Sequence, residues 1–163
     1  MSVLDRFRLD GRVAIVTGAS AGLGVAFAAA LAEAGADVAL AARRADRLES
    51  TRKLVEAAGR RAIVVPTDVA VPEQCQALVG ATMQQLGRVD VLVNNAGIGT
   101  AVPAARETPE EFRRVIDINL NGSYFMAQAC AQAMRGGAGS IVNIGSVLGS
   151  TSAFLPQAAY ASS

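Results

Sequence analysis

The sequence predicts an α/β fold, a doubly wound parallel sheet with strand order 3-2-1-4-5 and helices on both faces. Three observations carry that prediction. Short β-branched runs alternate with longer Ala-rich segments of helical spacing, the pattern of strands joined by crossover helices. The runs are nearly continuous in apolar residues rather than alternating, as expected of strands covered on both faces. Polar motifs follow the runs, and open sheets of this kind bind ligands beyond the carboxyl ends of their strands.

In order, "RVAIVTG" (12–18) is the first strand and "GVAFAAALAEAG" (24–35) the first helix, with Phe27, Leu31 and Ala34 on one face and Gly35 as its stop. "DVALAAR" (37–43) and "RAIVVPT" (61–67) are the second and third strands, separated by the helical "ADRLESTRKLVEAAG" (45–59). The helix "PEQCQALVGATMQQLG" (72–87) opens with Pro72 and Glu73, and the long segment Thr108 to Met134 opens near Pro109 and Glu110; first helical turns favour Pro and acid. "VDVLVNNAG" (89–97) and "GSIVNIGS" (139–146) supply the fourth and fifth strands. No repeat, low-complexity tract or linker interrupts the series, so residues 1–163 are expected to form a single domain.

Composition narrows the function classes. Net charge is +1 with acidic and basic residues interspersed, which disfavours a nucleic-acid-binding face. No run approaches the ~20 apolar residues of a membrane span, and the first residues, "MSVLDRFRLDGR", lack the long apolar stretch of a secretory signal. A cytoplasmic protein is expected. With no histidine and only Cys75 and Cys130, there is no Cys/His metal cluster and no His-based nucleophile activation. Both cysteines sit in apolar or helix-like stretches and are expected to be buried and unreactive.

"TGASAGLG" (17–24) joins the first strand to the first helix. Its glycines permit a tight turn and close backbone approach, and free N–H groups at the helix start suit a pyrophosphate. No Gly-Lys-Ser/Thr follows, which disfavours a nucleoside triphosphatase. Gly18, Ser20, Ala21, Gly22, Leu23 and Gly24 are therefore expected to bind a dinucleotide. At the end of the second strand, where NAD(H) sites carry an acid for the ribose, stand Ala42, Arg43 and Arg44. A guanidinium pairs with a 2′-phosphate, so NADP(H) is favoured over NAD(H), with Arg43 as the contact. The plainer reading makes the arginines a solvated helix start, with Asp46 neutralising one of them.

With these residues in view, the sequence resembles the short-chain dehydrogenase/reductase family along its whole length. "TGASAGLG" matches the family's glycine turn, and "TDV" (67–69), "NNAG" (94–97), "DINLNG" (117–122), "NIGSVLG" (143–149) and the tyrosine of "QAAYASS" (157–163) follow in family order. The resemblance implies a Rossmann-like domain in which Asp68 and Val69 contact adenine and Asn95, Ala96, Gly97 and Tyr160 lie along the cofactor. It implies hydride transfer between NADP(H) and a carbonyl or secondary-alcohol substrate, with Asn119, Ser146 and Tyr160 as catalytic residues. Ser146 would bond the substrate oxygen, Tyr160 would exchange the proton, and Asn119 would support a water chain. A phenol ionises near ~10 in water and needs help to act near neutrality. In the family a lysine four residues after the tyrosine gives that help, and the sequence ends at Ser163, one residue before that position.

The chain is thus expected to be the cofactor-binding, C-terminally incomplete part of a longer oxidoreductase. A non-catalytic dinucleotide-binding module and a non-redox epimerase or dehydratase are the alternatives. Residues 147–156 and "GIGTAVPA" (97–104) are expected to line the substrate pocket; they are small or apolar, which points no further than an uncharged or lipid-like carbonyl, and sugars, acyl thioesters and steroids all stay open. Phe112, Val115, Ile116, Phe125 and Met126 are expected to present an apolar face, which the resemblance assigns to a homodimer or homotetramer interface in the full-length protein.

Overall fold

A computed structural model describes residues 3–99, 101–151 and 156–163. After a short 3-10 turn, Val3–Phe7, the chain alternates strand and helix: β1 Val13–Thr17, α1 Leu23–Glu33, β2 Asp37–Ala42, α2 Ala45–Ala57, β3 Ala62–Pro66, α3 Pro72–Leu86 and β4 Val91–Asn94. Then come α4 Pro109–Ile116, a π-helical turn Asp117–Asn121, α5 Gly122–Ala133, β5 Ser140–Asn143 and a final turn of helix, α6 Ala158–Ala161. The five strands are parallel in the order β3-β2-β1-β4-β5, as the sequence predicts. Chain order reverses on either side of β1, because α1 and α2 carry the chain one way and α3 carries it back.

Successive residues of β1 point to opposite faces, and each face has its own core. Ile15 joins Leu78, Leu92, Met126 and the two cysteines under α3 and α5, whereas Val16 joins Ala28, Leu40, Leu48 and Val55 under α1 and α2. Full burial of each of these larger aliphatic side chains contributes about 1.5–3 kcal/mol. Cys75 and Cys130 are fully buried. Burial pushes their thiols up to about 11 and about 12, so both remain protonated at neutral pH, as expected of core residues.

One predicted face is refined and two expectations need correction. α1 buries Gly24, Ala28 and Ala32 most deeply, and the face of Phe27, Leu31 and Ala34 lies half-buried beside them. Small side chains let the helix lie close to the sheet, and Phe27 and Leu31 flank that contact half-covered. The strands are not all covered on both faces: β1 and β2 are buried, β3 is half-buried and β5 is exposed along its length. Within the described residues β3 and β5 are the outermost strands. Lastly, Val115 and Met126 belong to the core, and the apolar side chains that face outward on α4, the π-helical turn and α5 are Phe112, Leu120 and Tyr124.

The amino-terminal end of the sheet is closed by two buried carboxylates. Asp90 accepts hydrogen bonds from the Val13 N–H (2.9 Å), Arg12 (2.9 Å) and Arg88 (2.7 Å). Asp37 accepts from the Arg61 N–H (3.0 Å) and its guanidinium (2.8 Å), and pairs with Arg60 at 3.0 Å. Burial alone would raise both carboxyl pKa values. The Arg88, Val13 and Arg12 donors overcome it at Asp90, and the Arg61 N–H, its guanidinium and Arg60 overcome it at Asp37, so both lie below the ordinary carboxylate value. No helix among the described residues is long and apolar enough to cross a membrane.

A group more acidic when folded adds stability that is complete above the unfolded pKa of ~3.9 and disappears as pH falls through the lower folded value. Replacing Asp90 with Asn (D90N) keeps an acceptor but removes its charge. The expected cost near neutrality is about 2 kcal/mol, the worth of a charge-assisted hydrogen bond. Urea unfolding at pH ~7 and at pH ~3 checks this, with the gap between variant and wild type closing at the lower pH.

Candidate functional site

At the carboxyl end of β1 the chain turns through Gly18 (φ 67°) and Gly22 (φ 58°), left-handed positions that favour glycine. A Cβ at Gly18 would lie 2.9 Å from the Ala96 Cα, and one at Gly24 would strike the Gly18 carbonyl. The turn is therefore pressed onto both the start of α1 and the exit of β4. Thr17, 1 % exposed, fixes it there. Its Oγ1 donates to the Val93 carbonyl (3.3 Å) and accepts from the N–H groups of Asn95 and Ala96, both at 3.0 Å. The Asn95 carboxamide donates back to the Thr17 carbonyl at 3.0 Å.

Above this turn runs a cleft of about 390 Å³. Of the predicted cofactor residues, Gly18, Ser20, Ala21, Leu23, Arg43, Asp68, Val69, Asn95, Ala96 and Gly97 line it. Gly22 sits instead at the amino cap of α1, and Gly24 is buried beneath the turn. Gly18 leaves the backbone open where a Cβ would crowd it, and the turn opens into a helix start, so these residues fit a dinucleotide's phosphates. Arg43 and Arg44 are exposed at the cleft and make no ion pair among the described residues, with Asp46 or any other acid. Arg44 is the amino-cap residue of α2, so the plainer reading of a solvated helix start fits as well, without the neutralisation by Asp46. Asp68 is tied locally, its N–H donating to Gln74 Oε1 (2.7 Å) and its carboxylate accepting from the Ala70 N–H (3.1 Å).

A second cavity, of about 820 Å³, continues from the first, and Leu23, Asn95, Ala96, Gly97 and Ile98 line both. Here the structure brings Asn119, Ser146 and Tyr160 together. Asn119 lies in the π-helical turn, an irregularity often found at functional sites. Its Oδ1 accepts from the Ile98 N–H and its Nδ2 donates to the Ile98 carbonyl, both at 2.9 Å, with a further bond to Ser163 Oγ at 2.9 Å. Ser146 Oγ accepts from the Leu148 N–H (3.2 Å) and so caps the turn Val147–Gly149, which leaves its own proton to donate. Tyr160 is half-buried on α6, and the Gly99 backbone packs on its ring, where a Cβ would come within 3.2 Å.

Of the predicted pocket segments, Leu148, Gly149 and Ser150 line this cavity, and so do Gly97, Ile98 and Gly99. Thr100 and residues 152–155 lie outside the described residues. Sequence reasoning missed Thr17 as an anchor, the π-helical turn, Leu23 as a wall common to both cavities, and Gln157. Thr17 carried a signal, since a hydroxyl at a strand end beside a glycine turn is placed to take up loop N–H groups. The π turn carried none, because "DINLN" reads as ordinary helix.

A family model described as short chain dehydrogenase matches residues 12–163. The chain belongs to that family. It is 42% identical over 142 residues to an L-rhamnose 1-dehydrogenase (NAD(P)(+)) of a Sphingomonas species, covering 85% of this chain and 56% of that one. A short-chain type dehydrogenase/reductase of Mycobacterium marinum superposes with a TM-score of 0.97 at 38% identity, over 99% of this chain and 67% of that one. An NAD+-bound xylitol dehydrogenase superposes with a TM-score of 0.90 at 32% identity, over 94% and 59%. The chain spans about 60% of the length of the curated relatives it matches first. Members of this family bind NAD(P), and the cleft over the glycine turn has the lining for it.

The threonine anchor is testable. Thr17→Val keeps the side-chain shape and strands the N–H groups of Asn95 and Ala96, at an expected cost of about 1–3 kcal/mol. Amide hydrogen exchange checks it: those two amides should lose protection while the middle of β1 keeps it.

Proposed function

We propose that residues 1–163 form the dinucleotide-binding domain of an NADP(H)-dependent oxidoreductase that interconverts a carbonyl compound and a secondary alcohol. The observation that carries the reading is the continuity of the two cavities. A cleft with unpaired arginines at one end opens, across a common wall, into a cavity that holds Asn119, Ser146 and Tyr160. The dehydrogenase names of the relatives favour redox chemistry over epimerisation, dehydration or a non-catalytic module.

The glycine turn and the start of α1 would hold the pyrophosphate, Asp68 and Val69 the adenine end, and Asn95, Ala96, Gly97 and Tyr160 the remainder. Arg43 would pair with a 2′-phosphate, which its freedom from internal partners supports. When bound, the nicotinamide supplies or accepts hydride. The chain's own residues do the rest. Ser146 donates to the substrate oxygen and fixes its position, while the Tyr160 hydroxyl gives that oxygen a proton or takes one from it. Asn119, bonded at both ends of its carboxamide to Ile98, holds the loop after β4 against the π-helical turn so that the pocket wall stays in place. Exposed Phe112, Leu120 and Tyr124 support a homodimer or homotetramer face on α4 and α5.

Two substitutions test the proposal in the complete enzyme. Arg43→Ala should weaken NADPH binding about 10- to 100-fold, the loss of one charge-assisted bond, and leave NADH binding within about twofold. Fluorescence titration with each cofactor reads this, and equal losses for both would count against a 2′-phosphate contact. Tyr160→Phe should lower kcat by about 10²–10⁴, since it removes the proton-exchanging group and little of the packing.

A further inference from the structure

Gly122 opens α5, where a glycine has no conformational reason to stand. Its backbone angles, φ −62° and ψ −42°, are those of an ordinary helical residue, and glycine inside a helix is destabilising relative to alanine. Its N–H donates to the Asp117 carbonyl, the i to i+5 bond that ends the π-helical turn. What distinguishes the position is the space around it. Gly122 is buried, and a Cβ placed on it would lie 2.7 Å from Val69 Cγ2, 3.0 Å from Val69 Cβ and 3.1 Å from the Val69 carbonyl oxygen. Carbon atoms in contact prefer about 3.5–4.0 Å, so a side chain here would displace one of the two elements.

Val69 is a wall of the cleft above the glycine turn, with Asp68 on its own loop and Ile118 on the π-helical turn. Gly122 is not among the lining residues and meets the cleft only through Val69. The missing side chain thus sets how near the loop after β3 lies to the turn that carries Ile118 and Asn119.

Which element would give way follows from what holds each. The π-helical turn and the start of α5 are tied several times over. Asn119 is bonded to both backbone groups of Ile98 at 2.9 Å, Ser123 Oγ donates to the Asn119 carbonyl at 2.7 Å, and the buried Asn94 carboxamide donates to the Ser123 carbonyl at 3.0 Å. The loop is fixed to β2 at Thr67, whose N–H donates to the Ala42 carbonyl at 3.0 Å. Two residues on, the Val69 carbonyl accepts only a long bond from the Cys75 thiol, 3.4 Å, and a thiol is a weak donor. Crowding at position 122 therefore moves Val69 and leaves Asn119 in place.

We propose that Gly122 is a positioning residue for the cofactor: by leaving room for Val69, it holds the loop after β3 at the depth that the adenine end of a dinucleotide requires. The inference rests on the dinucleotide-binding reading above and adds the residue that shapes the adenine end.

The test uses the complete enzyme with Gly122→Ala, titrated by fluorescence with NADPH and NADH, with ADP-ribose measured as a competitor. Overpacking of this kind should weaken NADPH and NADH binding about 10- to 100-fold, and ADP-ribose, which lacks the nicotinamide, by a similar factor. Val69→Ala removes the nearest contact atom, so the double variant Gly122→Ala/Val69→Ala should bind NADPH within about threefold of Val69→Ala alone. The Ile98 amide, which is bonded to Asn119, should keep its wild-type protection from hydrogen exchange in Gly122→Ala. Thermal midpoints report folding; if Gly122→Ala does not fold, the double variant is still read against Val69→Ala. Unchanged cofactor affinity in folded Gly122→Ala, a loss that spares ADP-ribose, additive losses in the double variant or its failure to fold, or lost protection at Ile98 would each overturn the assignment while leaving the dinucleotide reading intact. A wild-type enzyme that binds neither NADPH nor NADH would overturn both.

Discussion

The Thr17 hydroxyl is the constraint on which the site depends. A parallel sheet whose chain order reverses between β1 and its neighbours opens a crevice where the connections leave in opposite directions. The backbone leaving β4 at that crevice has lost its ladder partners, and buried N–H groups need replacements. Thr17 takes two of them with one oxygen and returns its proton to the Val93 carbonyl. The Asn95 carboxamide closes the loop from the other side. The glycine turn and the segment after β4 thereby become one rigid unit, and the absence of a side chain at Gly18 sets how closely they approach.

That unit also explains why the two cavities are one site. Asn95, Ala96, Gly97 and Ile98 form a floor beneath both, and the same floor is held from the distal side by Asn119. The π-helical turn matters here. By inserting extra backbone between α4 and α5, it places Asn119 where its carboxamide meets the Ile98 backbone at both ends. Asn94 ties the same region to the edge strand, donating to Asn143 Oδ1 (2.9 Å) and to the Ser123 carbonyl (3.0 Å). Each amide group of the "NNAG" segment that the fold uses is thus engaged with backbone or with a partner strand.

The fold was legible in the sequence because it rests on periodicities that survive in single strands and helices. Continuous apolar runs, Pro at first helical turns and Gly35 after α1 each mark an element locally, and the order of the sheet follows from crossover handedness. Most of the residues predicted to hold a cofactor fall on one cleft for the same reason, since a glycine turn at a strand end can face only one way. What stayed hidden depends on distance in sequence. The buried face of α1 is chosen by how near the helix can approach the sheet, which favours Ala28 and Ala32 over the bulkier Phe27 and Leu31. An apolar run does not reveal that β5 is the outermost strand among the described residues.

In the proposed reading, the site divides its labour by charge. The end bordered by Arg43 and Arg44 is cationic and unpaired, whereas the cavity around Ser146 and Tyr160 has no charged lining among the described residues. Attraction to a cofactor's phosphates is then concentrated far from the reacting atoms, where tight binding does not oppose the chemistry. At the reacting end the groups that the described residues supply are neutral hydrogen bonders, which orient a substrate more than they hold it.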